Sequence, residues 1–201
     1  MSTGRTVLVE AELKAVVRDV DAVRATLGRR GPAQRCTYAD RYFDYPDHRL
    51  TEQRRELRVR AITDDTGQTR VLLTYKEPPV DAESGAKPEH ETTAEDADVL
   101  ATVLTALGLE EFIAFHKHCV NYRFTALGHK LLASLVTVPE LEDQIFIEVE
   151  TMTEAGDLDA ALNVVRSVLR DLGVSEQDLT VETYTDAVSA QRKTRNPQGE
   201  S

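Results

Sequence analysis

Val7-Leu8-Val9-Glu10-Ala11-Glu12-Leu13-Lys14 alternates apolar and polar side chains. That two-residue period marks a strand with one face turned to a core. Val9, Ala11 and Leu13 share the apolar face, and Glu10, Glu12 and Lys14 share the other. A strand that sorts its charges in this way is usually half solvated. The reading changes when several strands in one chain do it.

Working outward, the same alternation returns at residues 57–62, where Arg58 and Arg60 stand against Leu57 and Val59, and at residues 146–150, where Glu148 and Glu150 stand against Ile147 and Val149. Glu89 and Glu91 share a face, as do Lys117 and Arg123. Further strands are predicted over 38–45, 70–76, 87–93, 112–127 and 130–138, with turns at 64–67 and around Leu127-Gly128. Helical periodicity predicts helices over 19–28, 94–107, 157–172 and 181–192, three of them followed by or ending in glycine. Strands adjacent in sequence favour antiparallel pairing. The expected class is therefore α+β, with a polar tail over 194–201 expected to be disordered.

Six carboxylates (Glu10, Glu12, Glu89, Glu91, Glu148, Glu150) and six cations (Lys14, Arg58, Arg60, Lys76, Lys117, Arg123) lie on these polar faces. If the sheet closes on itself, with helices covering its apolar outside, all of them line one cavity. Unpaired charges in a partly dry cavity are costly, so such an interior points to function rather than stability. Carboxylates suit hard divalent cations, and Mg²⁺ typically bridges them to phosphates. Lys and Arg clusters grip phosphate oxygens. Nothing here resembles a glycine-rich phosphate loop. The cavity reads as a site for a metal-complexed polyphosphate held by side chains.

Composition narrows the alternatives. The 201 residues are 41% hydrophobic and 29% charged, with a formal charge of −11. That is the balance of a folded globular chain and argues against nucleic acid as a partner, for which a basic stripe is expected. No window reaches the run of about 18 apolar residues that a membrane span needs, and the first residues lack the apolar core of a signal peptide. A cytoplasmic location and no membrane partner are expected. Cys36 and Cys119 are far apart in the chain without metal-site spacing. His116 and His118 flank Lys117 with no third ligand and read as structural, while Tyr38, Tyr42 and Phe43 read as core or cavity-rim aromatics.

Glu10-Ala11-Glu12-Leu13-Lys14 resembles the E-x-E-x-K signature that opens the CYTH superfamily, the triphosphate tunnel metalloenzymes. The later motifs come in a similar order too. Asp40-Arg41-Tyr42-Phe43-Asp44 resembles the family's D-x-Y-F-D strand, Leu57-Arg58-Val59-Arg60 its L-R-x-R, and Leu73-Thr74-Tyr75-Lys76 its L-T-Y-K. Glu89-His90-Glu91, Lys117 and Phe146-Ile147-Glu148-Val149-Glu150 resemble its E-x-E, K-x-R and F-x-E-x-E elements, and the segment through Tyr184 resembles a cyclase-type ending. Two departures stand out: Cys119 occupies the position of the family's arginine, and residues 135–138 lack an expected aspartate.

The resemblance implies an antiparallel, eight-stranded, closed or nearly closed β-barrel, a tunnel with helices packed outside, formed by one domain over residues 1–193. It implies Mg²⁺ or Mn²⁺ held by Glu10, Glu12, Glu91, Glu148 and Glu150. A triphosphate would be gripped by Lys14, Arg58, Arg60, Lys76, Lys117 and Arg123, the last as a substitute for the missing arginine. Lys14, Glu10 and Glu12 are the implied catalytic groups. The expected activity is conversion of ATP to cyclic AMP and pyrophosphate. The alternatives are hydrolysis of inorganic tripolyphosphate or thiamine triphosphate, and a non-catalytic nucleotide or polyphosphate sensor. A homodimer is an open option for assembly.

Overall fold

The computed structural model describes residues 8–81, 84–141 and 144–196. Val7, part of the loop over 78–85 and tail residues 197–201 lie outside them. Eight strands form one sheet: β1 (Leu8–Val16), β2 (Ala33–Asp44), β3 (Glu56–Asp64), β4 (Thr69–Lys76), β5 (Glu89–Ala94), β6 (Glu110–Ala126), β7 (His129–Thr137) and β8 (Ile145–Glu154). Their order is β1-β8-β7-β6-β2-β3-β4-β5, with every neighbouring pair antiparallel. The sheet curls until its edges meet: Val9 bridges Pro88, and the Glu10 N–H donates to the Lys87 carbonyl at 3.3 Å. The expected antiparallel tunnel is present.

Alternation along the strands separates an apolar outside from a polar inside. Val9, Ala11, Leu13 and Ala15 of β1 join Ile147 and Val149 of β8 beneath the helix α4 (Leu158–Asp171), whose Leu162, Val165 and Leu169 are buried against them. Val59 and Val71 are covered by α3 (Ala97–Ala106) through Ala101 and Leu104. Side-chain oxygens start these helices where the sequence offers them: Asp19 caps α1 (Val20–Gly28), Asp96 caps α3, and Thr183 caps α5 (Tyr184–Arg195). The β6–β7 hairpin turns through Leu127 and Gly128, both at positive φ (49° and 84°), as a tight two-residue hairpin turn requires.

Three details depart from the sequence reading. α5 continues through Thr194 and Arg195, which the sequence reading places in a disordered tail, and the rest of that expected tail from residue 197 lies outside the described residues. β2 starts at Ala33, five positions before the aromatic run, because pairing with β6 holds this polar segment extended. A fifth helix, α2 (Arg49–Glu52), escapes the periodicity because it is one turn long and organised from outside. The Asp44 carboxylate on β2 accepts hydrogen bonds from the N–H groups of Leu50 (2.9 Å) and Thr51 (2.8 Å).

Candidate functional site: a charged tunnel interior

The strand register places the polar faces together. Around β1 and β8, Glu12 lies opposite Glu150 and Lys14 opposite Glu148. Across β3, Arg60 lies opposite Asp40 and Arg58 opposite Tyr42. Arg58 also faces Thr74 of β4, which in turn faces Glu91 of β5. On β6, Lys117 lies opposite Tyr38.

Oxygens of Glu10, Glu12 and Glu150 all lie within 4.8 Å of one another. Burial pushes Glu12 up to about 8, with the carboxylates of Glu10 and Glu148 adding to the rise. Burial, then Glu10 and Glu12, pushes Glu150 well above the usual carboxylate range. Glu10 goes the other way: burial works against its charge, but its ion pair with the Lys76 ammonium outweighs that and lowers its pKa. Lys76 also reaches Glu89 at 3.0 Å. With Glu10 held by Lys76, the crowded charges of Glu12 and Glu150 are neutralised either by protons or by a divalent cation. The donor set therefore fits a hard divalent cation.

The other two carboxylates expected at a metal sit elsewhere. Glu148 lies 3.7 Å from the Lys117 ammonium. Glu91 is exposed and accepts a hydrogen bond from the Thr74 hydroxyl at 3.1 Å, while Glu89 leans into the interior. Tunnel closure, which alternation cannot specify, decides which of the two glutamates approaches the cluster.

The cations are unequally partnered. Arg60 is held by Asp40, which is 1% exposed, through Nε–Oδ1 (2.6 Å) and Nη2–Oδ2 (2.7 Å) bonds. Burial alone would raise Asp40, but that guanidinium holds its carboxyl well below the usual range. Arg58 is 8% exposed, its Nε finds no hydrogen-bond partner, and it makes no ion pair among the described residues. Lys117 is buried between two aromatic faces, Tyr184 at 4.6 Å and Tyr38 at 5.9 Å. Lys14 lies over Tyr184 at 4.3 Å and donates to the Glu182 carbonyl. Burial lowers the Lys14 pKa, with Glu148 and Glu12 opposing and Lys117 reinforcing.

Arg123 stands apart. It shares the inner face of β6, three inward positions beyond Lys117, but is exposed at the tunnel end away from Tyr184. Cys119 lies inward at the register position opposite Cys36, and burial pushes its thiol up to about 12. His116 and His118 are exposed on the other face of β6.

Charge counting missed three contributors. Asp40 and Tyr184 carried a signal in the D-x-Y-F-D strand and in the C-terminal segment, but not one that revealed their contacts. Asn121 carried none.

The family model for the CYTH domain matches residues 8–184. A Methanocaldococcus jannaschii protein provisionally named an adenylate cyclase is 25% identical over 182 residues, covering 89% of this chain and 98% of that protein. The crystal structure of a Vibrio parahaemolyticus protein, also provisionally named an adenylate cyclase, is similar at a TM-score of 0.76 and 22% identity, covering 90% of this chain and 97% of that one. A Hippeastrum protein described as a provisional adenylyl cyclase with a dominant triphosphatase activity shares the fold at a TM-score of 0.61 and 14% identity, covering 91% and 95%.

Proposed function

Because the chain belongs to the CYTH domain family, we propose that it is a divalent-metal-dependent enzyme acting on a triphosphate held inside the tunnel, converting ATP to cyclic AMP and pyrophosphate. Arg58 is the observation that carries the reading. A buried guanidinium that no carboxylate contacts directly is costly, and its unpartnered Nε beside an anchored Arg60 leaves it free for phosphate oxygens, with Asp40 and Glu56 attracting it only from a distance. Across the interior, the acidic cluster supplies the complementary half of a site for a metal-complexed triphosphate.

In this reading Arg58, Arg60, Lys76, Lys117 and Lys14 bind the phosphate chain, with Arg123 at the open end. Glu10, Glu12 and Glu150 hold Mg²⁺ or Mn²⁺, with Glu148 and Glu91 flanking. When bound, the cation neutralises phosphate charge and polarises the phosphorus centre. The ribose 3′-hydroxyl attacks the α-phosphorus, and the buried cations stabilise the departing pyrophosphate. Lys14, whose pKa is lowered by burial, orients the nucleophile and, in its neutral amine form, accepts the hydroxyl proton to become the ammonium. The provisional adenylate cyclase name of the relative of nearly equal extent is what favours cyclisation over hydrolysis in this reading.

Hydrolysis is the second reading, because the same cage would serve a water attacking the γ-phosphorus. Incubation of the purified chain with ATP and Mg²⁺ or Mn²⁺, with product identification, separates the two. Cyclic AMP with pyrophosphate is expected. Orthophosphate release alone moves the assignment to the triphosphatases. Tight metal-dependent binding without turnover of any triphosphate makes the chain a sensor.

A further inference from the structure

Beyond the phosphate cage, the open tunnel end holds a cavity of about 560 Å³, within the range of small-molecule sites. Cys36, Ile62 and Asn121 line it from the inner faces of β2, β3 and β6, and Arg35, Arg70 and Arg123 add three guanidinium groups. Asn121 is 3% exposed, and its Nδ2 donates to the Tyr38 hydroxyl at 2.7 Å. Its Oδ1 is buried with no hydrogen-bond partner. A buried amide left half satisfied costs about 1–3 kcal/mol, and this one lines a cavity large enough for a ligand to complete it.

We propose that this cavity binds the non-phosphate head group of the substrate, an amino-substituted heterocycle that donates an N–H to Asn121 Oδ1. This rests on the triphosphate reading above and names its substrate class: an organic triphosphate rather than inorganic tripolyphosphate. The geometry connects the two regions. Asn121 lies two inward positions beyond Lys117 on β6, about 14 Å along the strand. Tyr38, bonded to Asn121, packs its ring 4.6 Å from the Arg60 guanidinium. The guanidinium groups of Arg35, Arg70 and Arg123 make no ion pair or hydrogen bond among the described residues, and free guanidinium planes stack readily on flat heterocycles.

The test compares dissociation constants on the full chain in Mg²⁺ for three probes: ATP, purine riboside triphosphate (the same nucleotide without its amino group) and inorganic tripolyphosphate. The wild-type chain is expected to bind ATP about fivefold or more tightly than the deaminated nucleotide. In N121L that ratio is expected to fall to about one. Equal binding of the two nucleotides to the wild-type chain, with tripolyphosphate also bound, overturns the head-group site and leaves the triphosphate cage standing. Failure to bind tripolyphosphate at all overturns the cage itself, and the head-group site with it. The wild-type comparison needs no variant, so it holds even if N121L does not fold.

Discussion

Asp40 grips Arg60 through both carboxylate oxygens, at 2.6 and 2.7 Å, inside a tunnel where Arg58, two residues earlier on the same face, is left with a free Nε. One of the two guanidinium groups is fixed by the protein and the other is reserved for something else. Truncation should tell them apart. Asp40→Ala leaves Arg60 buried without its anion and is expected to cost about 3–5 kcal/mol of stability, read by urea unfolding at neutral pH. A loss below about 1 kcal/mol would mean that water or another carboxylate replaces Asp40 without cost. Because the folded carboxyl titrates below its unfolded value of about 4, the stabilisation is complete above that pH and is withdrawn as pH falls below it. Asp40→Asn should therefore have a flatter acid limb than the wild-type chain.

Arg58→Met should behave differently. It removes a buried charge that no carboxylate contacts directly and that Asp40 and Glu56 attract only from a distance, so unfolding stability is expected to fall by much less than in Asp40→Ala. Triphosphate affinity is expected to fall about 10- to 100-fold, the worth of hydrogen bonds to a charged group. Titration of tripolyphosphate beside a urea melt measures both. A loss of stability as large as that in Asp40→Ala, with unchanged binding, would reverse the roles assigned to Arg58 and Arg60.

Much of this arrangement was legible in the sequence because a strand's period is two. Alternation assigns Glu10, Glu12, Arg58, Arg60, Glu148 and Glu150 to one face without any coordinates. It does not say which faces meet or where along the tunnel each residue falls. Arg123 has the right parity but lies where β6 has run out to the open end. Glu89 and Glu91 are equivalent by parity, and only the way β5 meets β1 separates them. Cys36 and Cys119, 83 positions apart in the chain, are direct register partners. α2 is hidden for a related reason, since Asp44 on another element supplies its stabilising contacts.

The carboxylate cluster makes a prediction in which apo stability and metal response move in opposite directions. Glu150→Gln relieves crowding with Glu10 and Glu12, so the metal-free variant is expected to melt at or above the wild-type temperature. Saturating Mn²⁺ at about 100 times its dissociation constant should stabilise the wild-type chain by about 2.7 kcal/mol, or about 5–10 °C. The variant should show little of this shift. Equal shifts in both proteins, measured by thermal melting with and without EDTA, would remove Glu150 from the metal site.

Tyr184 ties the C-terminal segment to two phosphate-binding lysines, beside the bond of the Lys14 ammonium to the Glu182 carbonyl. The chain end is stitched to β1: Leu179 bridges Ala15, and the Thr180 N–H donates to the Lys14 carbonyl at 2.9 Å. This lays the Tyr184 ring 4.3 Å from the Lys14 ammonium and 4.6 Å from that of Lys117. An aromatic face attracts a cation by about 0.5–2 kcal/mol, more when water is excluded, so the ring positions two like charges that would otherwise repel. Tyr184→Phe keeps the ring and is expected to bind tripolyphosphate as the wild type does. Tyr184→Leu keeps most of the apolar volume but loses the π face, and affinity is expected to fall about three- to tenfold. Equal impairment of both variants would transfer the role to the hydroxyl, and two unimpaired variants would reduce Tyr184 to packing for Phe115 and Phe146.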